Sequence, residues 1–311
     1  MRIALSTNWN SQRHPQGEAM VDEILALGFD ALELGYHITD ELAAGVRRKV
    51  ESREVTVGSV HAFCPVPLGA PHGYPELYLL ASLDDDERAM AVILIGRTLA
   101  FTEAMGAGAM VLHAGRVFLK SLFGDIHTGT LVEALSAEEG GPDAPGYRRL
   151  LARALRRRTA RARKIFDGFC RSLDALLPRF EQAGVTLCLE NLPSVEAFPD
   201  EGEMLRLKQR FDTPALAYWH DMGHGQVREN LGLIRHVEAA KELLPFTRGI
   251  HIHDTLPPTH DHLPPGEGAI DFPAFACYAD ERIIKVFEPA PDVPGPALAA
   301  SLRHVRQTWG G

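Results

Sequence analysis

The chain has 311 residues, 45% of them hydrophobic and 23% charged, with a formal net charge of −9. That balance suits a soluble globular protein with a sizeable core, and the acidic excess argues against a broad electrostatic footprint for DNA. The opening MRIALSTNWN is too short and too polar for a signal peptide, and no run of about 18 apolar residues offers a membrane span. Four cysteines, Cys64, Cys170, Cys188 and Cys277, show no CxxC spacing, so a reducing cytoplasm is the expected setting.

Short β-rich runs alternate with longer helical patterns. The predicted strands are RIALST (2–7), ALELGY (31–36), TVGSVHAF (56–63), AMVLHAG (109–115), VTLCLEN (185–191), ALAYWHD (215–221), RGIHIHD (248–254) and RIIKVFEP (282–289). Helical patterns follow most of them, as in EAMVDEILALG (18–28), RAMAVILIGRTLAFTEAMG (88–106) and NLGLIRHVEAAKELL (230–244). Gly28, Gly106 and Gly184 mark helix ends. Eight strands alternating with helices predict an α/β protein with a parallel sheet, and eight units in this length fit one closed (β/α)8 barrel over 1–311. A doubly wound open sheet is the alternative, but no GxGxxG or Walker loop follows any strand. Two connections are long: the proline-rich 64–85 after strand three, and 116–147 after strand four. On a barrel both belong to the catalytic face, where 116–147 is expected to act as an insertion or lid.

Side chains alternate between the two faces of a strand. In GIHIHD, Ile250 and Ile252 suit packing under outer helices, so His251 and His253 point into the barrel. In ALAYWHD, Asp221 shares its inner face with Trp219 and Ala217, and His220 points outward as a packing residue. Glu190 shares its face with Cys188, Glu288 follows Val286, Glu33 ends ALELGY facing inward, and His61 and His113 end strands three and four. Left unneutralised, Glu190, Asp221 and Glu288 at one barrel end would cost several kcal/mol. A divalent cation removes that cost, and carboxylates with an imidazole suit Mn, Mg, Co or Zn.

Other residues carry softer expectations. Glu33 is expected to touch a substrate hydroxyl or to orient a ligand. Trp9 and Phe63, just beyond strand ends, are candidates to stack on an apolar ligand face. Gly266 and Gly268 in LPPGEGAID are expected to bring Glu267 near the site. Residues 148–164 hold nine basic residues and no acidic one, read as a solvated helix face pairing with the acidic stretch just before it.

The segments LCLEN, HDMGH, RGIHIHD, HDHLPPGEGAIDF and FEP, in this order at strand ends, resemble the xylose-isomerase-like TIM-barrel superfamily. That group holds sugar isomerases and epimerases, inosose dehydratases and the endonuclease IV class of abasic-site nucleases. The resemblance implies a principal metal site of Glu190, Asp221, His251 and Glu288, with Glu190 and Glu288 as catalytic acid and base. His251 is the implied ligand because Asp254 follows three residues later; His253, also inward, is left for substrate. His224 matches a residue that touches substrate in epimerases and binds a further metal in the nucleases. His61, His113 and His262 match further nuclease ligands, and His260 stands where the nucleases have an aspartate.

The implied activity is that of a divalent-metal-dependent isomerase or epimerase. It would act on a small sugar or polyol by proton transfer beside a chelated carbonyl, with dehydration as a variant. A multinuclear phosphodiesterase is the second reading, and a non-enzymatic binding protein on the same barrel the third. No membrane or nucleic-acid partner is expected, and self-association into a homo-oligomer is left open.

Overall fold

The computed structural model describes residues 1–119, 125–137 and 140–310. Eight parallel strands close into a barrel: β1 (Ala4–Ser6), β2 (Ala31–Leu34), β3 (Thr56–His61), β4 (Ala109–Leu112), β6 (Thr186–Glu190), β8 (Leu216–Asp221), β9 (Thr247–Ile252) and β12 (Ile284–Phe287). They follow chain order round the barrel, and β12 pairs back onto β1 with Ala4 opposite Val286. Two short antiparallel pairs stand apart from this sheet: β5 (Gly115–Arg116) with β7 (Ala197–Phe198), and β10 (Asp254–Leu256) with β11 (His260–Leu263).

Among the described residues nine α-helices accompany the strands: α1 (Gly17–Ala26), α2 (Asp40–Glu51), α3 (Asp85–Ala104), α4 (Thr128–Ala137), α5 (Pro145–Ala183), α6 (Glu201–Arg210), α7 (Met222–Asn230), α8 (His236–Leu243) and α9 (Gly295–Thr308). Their ends follow local chemistry. The Thr39 and Asp84 side chains accept backbone N–H groups at the starts of α2 and α3, and Asp200 with Glu203 forms a reciprocal capping box on α6. Gly184, at φ +66°, closes α5 in a conformation that a residue with a Cβ rarely adopts. Among the described residues no helix is long and apolar enough to cross a membrane.

Alternation along the strands sorts the core into two shells. Inside the barrel lie Ala4, Ala31, Ala109, Val111, Cys188, Ala217, Trp219 and Val286. Outward residues such as Leu32, Val60, Ile250, Ile252 and Phe287 pack under the helices. His220 also points outward, within hydrogen-bond distance of Tyr218 and His236 and stacked near Tyr278.

The described part of the 116–147 connection carries secondary structure of its own. Part of β5, α4 and a short 3-10 turn occupy it before α5 begins, while residues 120–124, 138 and 139 of this expected lid lie outside the described residues. The basic run 148–164 forms the first half of α5, and within it Arg158 pairs with Asp200 and Glu203.

Candidate metal centre and active site

The polar ends of the strands meet at the C-terminal mouth of the barrel. Glu190, Asp221, His251 and Glu288 each bring one ligand atom within 4.8 Å of the others. His251 Nδ1 is the hub, 3.3 Å from Glu190 Oε1, 3.5 Å from Asp221 Oδ2 and 3.0 Å from Glu288 Oε2. The opposite ring nitrogen, Nε2, faces Glu33 Oε1 at 3.1 Å. Glu33 in turn accepts a hydrogen bond from Ser59. Two asparagines fix the carboxylates from behind. Asn191 exchanges two hydrogen bonds with the Asp221 backbone, and Asn8 Nδ2 donates to Glu288 Oε1 at 3.3 Å.

This group fits a divalent cation on its own evidence. Four buried carboxylates, counting Glu33, crowd a space where their contacts are imidazoles, a hydroxyl and amides, with no lysine or arginine among the described residues bridging them. Burial alone would raise the Glu190 and Asp221 carboxyls, but the surrounding histidines hold both well below the ordinary range. Burial would likewise lower His251, yet Glu288, Glu33 and Glu190 push it well above the ordinary imidazole value. The cluster thus demands positive charge, and three carboxylates with one imidazole form a hard, oxygen-rich donor set for a divalent ion.

A second group joins His61, His113 and Glu190. The His61 Nδ1–H donates to the Ala62 carbonyl, so its Nε2 faces Glu190 Oε2 at 3.1 Å, and His113 Nε2 faces the same oxygen at 3.2 Å. A bare imidazole lone pair against a carboxylate is repulsive, so a proton or a cation belongs between them. Glu76, from the 64–85 loop, stands 3.6 Å from His113 Nδ1 and is clamped by Arg116 at 2.7 Å. Burial would lower His113, but Glu190 and Glu76 raise it to about 9.

The third group is His224, His253 and His262. His253 Nδ1 accepts the His262 backbone N–H at 2.8 Å, leaving the ring proton on Nε2 to donate to Asp221 Oδ1 at 2.9 Å. His253 therefore orients Asp221. The nitrogens left open are Nε2 of His224 and Nε2 of His262, because the Nδ1 atoms donate to the carbonyls of Asn191 and Glu288. Asp261 Oδ2 lies 4.0 Å from His224 Nε2. His262 holds a left-handed backbone at φ +57°, the sort of strain that persists where surrounding contacts over-determine it.

The structure places the remaining expected residues as follows. Glu33 is fully buried beneath His251, which fits the second of its two expected roles, orienting a ligand. His253, expected to be left for substrate, is equally buried, with both nitrogens engaged by protein partners. His260 is exposed on β11 opposite Leu256 and joins none of the three groups; the carboxylate near His224 comes from its neighbour Asp261. Trp9 and Phe63 are buried, Trp9 donating to the Val293 carbonyl, so neither offers an open stacking face. Glu267 points to solvent, and its turn is instead anchored by Gly266 and Ile270 N–H groups on Asp254. Asn8, Glu76 and Asp261 escaped the sequence reading because all three sit on irregular segments or short hairpins without periodicity.

Such a mouth defines a class, the closed parallel barrels that gather carboxylates and imidazoles where their strands end. The chain belongs to the xylose isomerase-like TIM barrel family, whose pattern matches residues 21–282. No curated protein matches the sequence significantly. Among solved structures, Escherichia coli 3-keto-D-glucoside 4-epimerase in its apo form is 16% identical over 99% of both chains, with a TM-score of 0.68. Clostridium cellulolyticum D-psicose 3-epimerase with D-tagatose is 14% identical over 99% of both chains, also at 0.68. A Thermus thermophilus protein soaked with ZnCl2 is 17% identical, over 99% of this chain and 97% of that one, at 0.60. At these identities the likeness is one of fold.

Proposed function

We propose that the protein is a divalent-metal-dependent sugar or polyol isomerase or epimerase. One observation carries this reading. Glu190 and Glu288 rise from strands three places apart round the barrel and address the same point beside His251 Nδ1. Two carboxylates reaching one centre from different sides can serve both faces of a substrate carbon. A bound cation, held by Glu190, Asp221, His251 and Glu288, would supply Lewis acidity to a carbonyl and its neighbouring hydroxyl.

The chain's own groups do the rest. Glu288 keeps Oε2 toward the centre and Oε1 beside the Asn8 amide, which holds the carboxylate still while it takes up a proton from the carbon next to the carbonyl. Glu190 keeps Oε1 toward the centre, and its Oε2 can receive a proton from His61 or His113 and deliver it to the other face. His224, 6% exposed and with its Nε2 free of protein hydrogen bonds among the described residues, is the candidate contact for a substrate hydroxyl.

Glu190→Gln, with metal content measured in the same sample, should slow exchange of carbon-bound hydrogen with deuterated water by at least about 10²-fold. The assay panel is ketoses, their phosphates and inosose-like polyols. A metal-loaded enzyme that exchanges no such proton in any of them would overturn the reading.

A second reading has its own observation. Glu190 Oε2 lies within reach of both His61 and His113 while Oε1 faces the principal group, so Glu190 would belong to the residues holding a first cation and to those holding a second, which supports a multinuclear hydrolase. Two or three metals per chain with Glu190-dependent phosphodiester cleavage would favour it.

A further inference from the structure

Helix α3 buries one apolar face and leaves further apolar side chains on the opposite, exposed one. Its inner face, with Ala91, Leu94, Ile95, Leu99 and Thr102, is buried. Its outer face carries Asp86, Met90, Ile93, Arg97, Ala100 and Ala104, all exposed. The spacing is 4, 3, 4, 3, 4, the seam of a helix that packs lengthwise on another helix. Met90 and Ile93 are 40% and 51% exposed, and two loop leucines flank them: Leu83 at 64%, just before the helix, and Leu68 at 100%, in a crevice it shares with Arg97. Single exposed apolar residues are ordinary, but a lengthwise stripe bracketed by two further leucines is not. None of the described residues covers it.

The charges on the stripe choose the occupant. Asp86 and Arg97 sit at opposite ends, four residues from Met90 and from Ile93 respectively, and neither side chain has an ion-pair partner among the described residues. Lay a second α3 antiparallel across the first, with the two-fold axis midway between residues 90 and 93. Met90 then meets the partner's Ile93, Asp86 meets the partner's Arg97, and Leu83 meets the partner's Ala100. Each contact occurs twice, as a two-fold interface demands. The surface is complementary to itself.

We propose that α3 is the interface of a homodimer, packed antiparallel on the α3 of a second copy. About 16 Å of seam lies between Asp86 and Arg97, at 1.5 Å per residue. The small Ala100 and Ala104 let the two axes approach closely. The 64–85 loop, which delivers Glu76 to His113, has one exposed leucine near each of its ends, and both would be gripped in the dimer.

Sedimentation equilibrium on the full chain, from low to several hundred micromolar, is the test. The expected species is twice 34.1 kDa. Ile93→Arg, on an exposed face and so compatible with folding, should raise the dimer dissociation constant by about thirtyfold or more, the scale of an interface anchor. Asp86→Arg and Arg97→Asp should each weaken the dimer, and the double exchange should restore it. Circular dichroism on each variant checks the fold. A wild-type chain that stays monomeric throughout overturns the proposal, and points to a different protein on this face. A dimer indifferent to Ile93→Arg, or a double exchange that fails to rescue, overturns it equally.

Discussion

Glu33 lies directly under His251, with its two carboxylate oxygens 3.1 and 3.2 Å from Nε2. The pair holds a proton on Nε2, so Nδ1 is the nitrogen that either carries a second proton toward Glu190, Asp221 and Glu288 or gives it up to free a lone pair for a cation among them. Carboxylate-backed imidazoles of this kind tune a metal ligand's orientation and basicity. Glu33→Gln should cost about 10- to 100-fold in divalent-metal affinity, read by competition with a chelator. Ser59→Ala, which removes only the hydroxyl that holds Glu33, should cost less. An unchanged affinity in Glu33→Gln would remove Glu33 from the centre.

Metal uptake should depend on pH with a definite sign. Burial opposes protonation of both His113 and His224, but neighbouring carboxylates raise them to about 9 and about 10. In the metal-free protein these raised values stabilise the fold fully below the unfolded histidine pKa of about 6.5, and that stabilisation is lost as pH rises through 9 to 10. A cation at these groups must displace those protons. Apparent affinity should therefore climb with pH above neutrality, and calorimetry in buffers of different ionisation enthalpy should show proton release on binding. A pH-independent affinity without proton release contradicts this.

Gly223 stands where α7 meets the His253 ring, and a Cβ there would fall on the ring atoms. Gly223→Ala should destabilise the fold by about 1–3 kcal/mol and displace His253 from Asp221. Gly202 on α6 is a natural contrast, since its Cβ would meet only Asp200 Oδ1 at an ordinary 3.6 Å. Gly202→Ala should be neutral or gain up to about 1 kcal/mol. Urea melts of the two variants should move apart, and equal losses would show that the contact at Gly223 is relieved easily.

Arg158 is buried between Asp200 and Glu203, donating also to the Ala197 carbonyl. Arg158→Met leaves two carboxylates without their counter-charge and should cost about 3–5 kcal/mol. Adding Glu203→Leu should recover part of the loss, since much of the cost is a stranded buried charge. A double variant no better than the single would assign the loss to packing of the arginine stem.

Much of the barrel could be read from the chain because buried parallel strands are compact apolar runs, and two-residue alternation reports the face of each side chain. Ile250 against His251, and His220 against Asp221, sorted outward from inward on that rule alone. Alternation gives a direction but not a height. Glu33 faces inward as expected, yet its pairing opposite Ser6 and Ser59 sets it one layer down, under His251. His253 also faces inward, but the hairpin after β9 folds the His262 amide onto its free nitrogen, a contact between segments that no local pattern encodes. Asn8 and Glu76 lie in a turn and a proline-rich loop, where only the closed structure shows what they touch.

Residues 8 and 288 touch across the seam where β1 receives β12. The last barrel strand therefore completes the cylinder and delivers the final carboxylate in one event. A polypeptide still emerging from the ribosome presents Glu190, Asp221 and His251 in sequence but has no enclosed centre until that strand arrives. On the proposed reading, capture of a cation would follow closure of the barrel, and a chain halted before residue 284 would lack the fourth of the residues that would hold it.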